Sequence, residues 1–211
     1  MLFIQTLWQN PLLFFIQIFV VVVSVCVHEL AHAWVALRQG DPTAAEQGHL
    51  TLNPLKQMGV MSLVMLAVIG IAWGQVPVNP GRMRHRWSDM IVSFAGPGAN
   101  LMLFVFCSIA LGLSIHFNAP DNALLIFGLG GTLNIVLFAI NILPVPGFDG
   151  WHIVSYFMPR LTRVKGEVAM GGALLLLMLV FIFLGSIFEF GHYLTSQIAS
   201  AVLHLLETPR P

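Results

Sequence analysis

Four long apolar runs dominate the chain, at residues 12–37, 90–117, 123–143 and 168–188. Each is long enough, as a helix, to cross about 30 Å of hydrocarbon. A fifth run, 58–73, is shorter and carries Gly59 and Gly70. It predicts either a crossing or a re-entrant stretch. Two segments have a different rhythm. His49, Leu50, Thr51, Leu52 and Asn53 alternate polar and apolar after Gly48, which predicts a short strand with one buried face, stopped by Pro54. Residues 189–207 place Ile198, Val202, Leu205 and Leu206 along an amphipathic or peripheral helix. The expected fold is an all-α polytopic integral membrane protein with four to six membrane segments, a re-entrant stretch and a small membrane-associated β element. One domain is expected over 1–211, with its core in 12–158 and C-terminal helices in 168–206.

Composition agrees with this pattern. The chain is 57% hydrophobic and 9% charged, against about 25% charged in a soluble domain. Lys and Arg balance Asp and Glu at nine each, which argues against nucleic acid as a partner and leaves the lipid bilayer as the main one. The N-terminus has no basic n-region and does not read as a cleaved signal. Cys26 and Cys107 lie in apolar runs and read as small buried hydrophobes. If 58–73 re-enters, Arg38, Lys56, Arg82, Arg84, Arg86, Arg160, Arg163 and Lys165 fall on one side, while the loop 118–122 opposite has no Lys or Arg. That is the positive-inside pattern, with the N-terminus outside and the far end of the first run toward the cytoplasm. The expected location is a prokaryotic cell (cytoplasmic) membrane, crossed several times.

Candidate chemistry sits within the first apolar run, as His28-Glu29-Leu30-Ala31-His32. Histidines four apart share one helix face and can bind a single metal ion, and Glu29 can reach a water on that metal. This is the zinc-protease signature, placed where an ionisable side chain costs about 2.5–3.5 kcal/mol to insert. A structural polar cluster between helices is the alternative. His28 lies nine residues before Leu37, about 13 Å of helix, so the site is below the cytoplasmic surface but not at the bilayer centre.

A catalytic zinc takes three protein ligands. Asp41, Glu46, Asp89 and Asp121 sit in ordinary polar loops. Asp149 instead follows an apolar run in a segment broken by Pro144, Pro146 and Gly147, irregular backbone that survives at membrane depth only in protein or beside a wet cavity. It can reach a neighbouring helix, or it can be a common turn aspartate before Gly150.

HELAH on a membrane helix, with a distant N-x-x-P-x-P-x-x-D-G loop (Asn141 to Gly150), resembles the site-2 protease family of intramembrane zinc metalloproteases. Residues 48–54, 76–80 and 93–100 also resemble family segments, so the similarity covers about residues 24–155. The resemblance implies that His28, His32 and Asp149 bind one Zn2+ per chain and that Glu29 is the catalytic base and acid. It also implies a substrate that is another protein's transmembrane segment, cut by regulated intramembrane proteolysis. Trp151 departs from the family, where a second glycine often follows Asp-Gly. Many members also carry an additional helix, or a PDZ or CBS domain, with no counterpart here.

Further roles follow more loosely. Asn141 and Asn100 are candidate oxyanion or substrate-positioning donors, or else make interhelical hydrogen bonds. The strand at 49–53 is a candidate platform for β-augmentation by an unwound substrate, or else a cap on the membrane face. His152, three residues beyond Asp149, is a candidate for orienting a ligand. His49, His85, His116, His192 and His204 lack paired ligand spacing. The rival functions are a metal-binding transporter and an inactive scaffold using the same ligands. A transporter calls for a chain of polar sites, and only one cluster is present. His and Asp would also accept other transition metals.

Overall fold

A computed structural model of the chain describes residues 3–159 and 167–207. Among these the regular structure is helical: α1 (Gln5–Gln9), α2 (Pro11–Arg38), α3 (Thr43–Glu46), α4 (Pro54–Gln57), α5 (Gly59–Ile69), α6 (Ser88–His116), α7 (Asp121–Asn141), α8 (Asp149–Phe157) and α9 (Glu167–Glu207). Local chemistry sets the ends of α2. Pro11 occupies its first turn, and the Asn10 side chain accepts the Leu13 N–H at 3.0 Å. Past its end Gly40 has φ 100°, a left-handed conformation that suits glycine.

Four helices are long and apolar enough to cross a membrane: Pro11–Arg38, Ser88–His116, Asp121–Asn141 and Leu174–Glu207. The chain is thus an integral membrane protein. α6 is the hub and packs against α2, α7, α8 and α9. Small residues let these backbones approach: Gly112 lies against Ala199 and Val202, and Gly131 against Thr195. Outward faces keep large apolar side chains such as Phe15, Phe19, Met102 and Phe106 exposed, as lipid-facing helices do.

Three expectations are corrected. No strand forms among the described residues. Residues 49–53 are instead folded around the buried Gln57 side chain, whose Nε2 donates to the carbonyls of His49 (2.9 Å) and Thr51 (2.7 Å). Second, the re-entrant stretch is not supported. α5 has 11 residues, about 16 Å of helix, half of a hydrocarbon layer. It ends at the left-handed Gly70, and an irregular segment follows. Ser62 pins that segment by accepting the Trp73 N–H (2.9 Å) and donating to the Trp73 carbonyl (2.6 Å), while the Gln75 N–H donates to the Gln57 carbonyl at 2.9 Å. Third, the tail at 189–207 is not a separate peripheral helix. It continues α9, and its Gly191, Thr195 and Ala199 pack into the bundle. Arg160, Arg163 and Lys165 lie outside the described residues.

Candidate metal centre

The i, i+4 spacing on α2 directs both imidazoles to one face, where they are buried with Glu29 beside them. The proline-broken loop after α7 returns the chain so that Asp149 opens α8 against that face. His28 Nε2 lies 3.0 Å from His32 Nε2, and the Asp149 oxygens lie 3.1 and 3.3 Å from the two rings. Three donors bonded tetrahedrally to one zinc at about 2.0–2.1 Å stand about 3.3 Å apart. The cluster has almost that spacing.

Hydrogen bonds decide which ring nitrogens face inward. His32 Nδ1 meets the Val92 carbonyl at 2.7 Å, and a carbonyl only accepts, so Nδ1 carries the proton. His28 is set by a longer chain of contacts. Asn134 Nδ2 donates to the Gly130 carbonyl (2.8 Å) and to Ser24 Oγ (2.9 Å), whose own proton goes to the Val20 carbonyl (2.7 Å). That turns Asn134 Oδ1 toward Asn100 Nδ2 at 2.8 Å, and leaves Asn100 Oδ1 to accept from His28 Nδ1 at 2.6 Å. Both Nε2 atoms therefore present lone pairs to each other and to a carboxylate. Such a set repels itself unless a cation lies among them, so the residues present fit a metal ion.

Glycines make the closure possible. A Cβ on Gly96 would overlap Nε2 of both histidines, and one on Gly74 would overlap the Glu29 carboxylate. A Cβ on Gly150 would strike the carbonyls of Ile142 and Leu143, which explains why glycine follows Asp149. The cluster opens into a cavity of about 730 Å³ between α2, α6, α7, α8 and the irregular segment. Glu29, Gly74, Val76, Asp89, Asn141 and His152 are among its lining residues.

The predicted residues are thus distributed as follows. His28, His32, Asp149 and Glu29 stand together, and His28, His32 and Asp149 are the metal-ligand cluster found among the described residues. Asn141 reaches the cavity but donates its Nδ2 to the Leu137 carbonyl of its own helix at 3.0 Å. Asn100 is fully buried behind His28, where it orients a ligand rather than facing a reacting carbonyl. His49, Leu50, Thr51, Leu52 and Asn53 offer no free strand edge, because Gln57 takes the His49 and Thr51 carbonyls and Asn53 caps α4. Asn134, Ser24 and Gly74 escaped sequence reasoning, and Asp89, read there as an ordinary loop carboxylate, instead lies in the first turn of α6 and lines the cavity. A buried Asn inside an apolar run was the available signal for Asn134.

The profile of peptidase family M50 matches residues 16–124. A Bacillus subtilis protein with the provisional name zinc metalloprotease YwhC is 35% identical over 169 residues, covering 76% of this chain and 77% of its own length. A Mycolicibacterium smegmatis protein, provisionally named zinc metalloprotease Rip2, is 34% identical over 180 residues, 79% of this chain and 68% of its own. No solved structure matches the chain significantly.

Proposed function

The chain belongs to peptidase family M50, and from that premise we propose that this membrane zinc metalloprotease hydrolyses peptide bonds within or near transmembrane segments of other membrane proteins, as in regulated intramembrane proteolysis. The observation that carries the proposal is the placement of the His28–His32–Asp149 cluster and Glu29 inside a membrane-helix bundle, open to a cavity large enough for an unwound peptide.

His28, His32 and Asp149 hold the metal. When bound, zinc supplies a Lewis acid that polarises the scissile carbonyl and activates water. Glu29 accepts one proton as the water oxygen bonds to the carbonyl carbon and the C=O pair moves onto oxygen. Collapse re-forms the C=O bond and breaks C–N. The nitrogen keeps that electron pair and takes the proton from Glu29, giving a carboxylic acid and an amine, and the acid then passes its remaining proton to the amine to leave carboxylate and ammonium. Gly74 gives the Glu29 carboxylate its room, since a Cβ at that position would overlap it.

A helical substrate hides its carbonyls, so it must unwind before attack. The irregular backbone at Gly74, Gln75, Val76 and Val78 lines the cavity and supplies peptide groups against which an unwound segment can pair. The Arg84 N–H donates to the Gln39 carbonyl and the Asn79 N–H to Asp41, so the connections carrying Arg38, Arg82, Arg84 and Arg86 meet at the metal-bearing end of α2, which supports a cytoplasmic orientation of the site.

The test is cleavage of dye-quenched transmembrane peptides carrying a Gly-Pro break, co-reconstituted in liposomes with wild type or Glu29→Gln. Wild type should cleave, and the variant should keep its zinc while losing about 10²–10⁴-fold in rate. Equal rates in both would contradict the assignment.

A further inference from the structure

Asp89 and His152 have no part in the chemistry above, yet both line the same cavity as Glu29. Asp89 lies in the first turn of α6, and His152 lies one turn beyond Asp149 on α8. Residues three apart on a helix share a face, with Cβ atoms about 5–6 Å apart. The imidazole is therefore carried beside the metal ligand by the same rigid turn. Its Nδ1 is 3.4 Å from Asp89 Oδ2, and among the described residues Nε2 meets no hydrogen-bond partner.

We propose that His152 is a catalytic residue, an imidazolium whose Nε2–H donates a hydrogen bond to the oxyanion formed when water adds to the scissile carbonyl, with Asp89 as the positioning residue that holds the ring by Nδ1. The proton stays on the ring throughout, so His152 stabilises charge and transfers nothing. This role rests on the peptidase reading above and adds the group that meets the developing negative charge. Asn141 is less suited, since its amide already donates to its own helix. The Asp89 hydrogen bond raises the His152 pKa above its ordinary value against the effect of burial, which favours the doubly protonated ring that such a donor requires.

Binding separates this idea from the peptidase assignment. The probes are a phosphinic pseudopeptide, whose phosphinate oxygens mimic the tetrahedral oxyanion, and the matching reduced-amide peptide, which has no such oxygen. Both are titrated into zinc-loaded wild type, His152→Ala, His152→Gln and Asp89→Asn, with bound zinc measured in each. Loss of one charge-assisted hydrogen bond predicts phosphinate binding about 10- to 100-fold weaker in His152→Ala, partial recovery in His152→Gln, and reduced-amide binding and zinc content unchanged. In wild type the phosphinate preference should fade as pH rises through the elevated His152 pKa, and Asp89→Asn should move that loss to lower pH. Glu29, Asp149, His28 and His32 share the cavity and are common to both proteins, so the displacement reports on His152. If His152→Ala does not hold zinc, Asp89→Asn carries the test through the same pH displacement. Equal losses for both probes, or no loss for either, would overturn the assignment. Absence of peptide cleavage by wild type would instead count against the proposed function, and the phosphinate comparison keeps its meaning.

Discussion

Replacing Asn100 by Leu should weaken zinc binding although Asn100 never touches the metal. Its Oδ1 is the acceptor for His28 Nδ1 at 2.6 Å, and both groups are buried, so water does not replace it. Leucine leaves a desolvated N–H without a partner, at a cost of about 1–3 kcal/mol. The ring can escape that cost by moving its proton to Nε2, but that nitrogen must then be stripped again before it binds metal. Either way the penalty falls on the metal-bound state and converts to a roughly 5- to 150-fold weaker zinc affinity. That range matches the 10- to 100-fold loss typical when a partner behind a metal ligand is removed. The assay is competition with a zinc chelator of known affinity, on detergent-purified protein whose melting transition is followed in parallel. Asn134→Leu should have a smaller effect on zinc, because it acts one hydrogen bond further away. An Asn100→Leu protein that melts like wild type and binds zinc within about twofold as tightly would refute the idea that this amide chain sets the His28 tautomer.

Gly96→Ala should abolish zinc binding, because its Cβ would occupy the space of both Nε2 atoms, whereas Gly98→Ala, with its nearest neighbour at 3.5 Å, should leave bound zinc unchanged by elemental analysis. Gly74→Ala should keep its metal and lose turnover by at least about tenfold in the peptide-cleavage assay, since the added methyl displaces Glu29. Asp41 is buried and would be raised by that burial, but hydrogen bonds from the Thr43 hydroxyl and the Asn79 and Thr43 N–H groups, with Arg82 nearby, hold it below its ordinary value. Its stabilising contribution is then full above about pH 4 and is lost as pH falls through the depressed folded value. Asp41→Ala should lower the melting temperature at neutral pH and flatten its acid-side decline. It should also speed amide exchange at 74–79, and an unchanged exchange pattern would show that Asp41 does not anchor this segment.

The four membrane helices and the residues of the metal cluster could be read from the sequence for separate reasons. Helices of more than 20 apolar residues leave a one-dimensional trace that needs no knowledge of neighbours. His28 and His32 are adjacent through helix geometry alone. Asp149 needed the proline-broken loop as a clue, since its approach to α2 is a tertiary event. The segment 48–53 alternated like a strand, yet a single buried side chain, Gln57, took its carbonyls and made a sheet partner unnecessary. Gly74 looked like any loop glycine, and only the packed position of Glu29 reveals why a side chain is excluded there. The chain of amides from Ser24 to Asn100 joins three helices, and no local pattern could announce it. Arg82, which the sequence offered as one of the cations grouped on one side of the membrane, is engaged with Glu46 at 2.8 Å.

The central claim is that two distant motifs form one zinc site. Elemental mass spectrometry of bound metal in purified wild type, beside Asp149→Ala, tests it without knowledge of a substrate. One zinc per chain in wild type, lost or strongly weakened in Asp149→Ala, is the predicted result. Zinc retained equally in both proteins, or none in wild type purified without chelators, would contradict it.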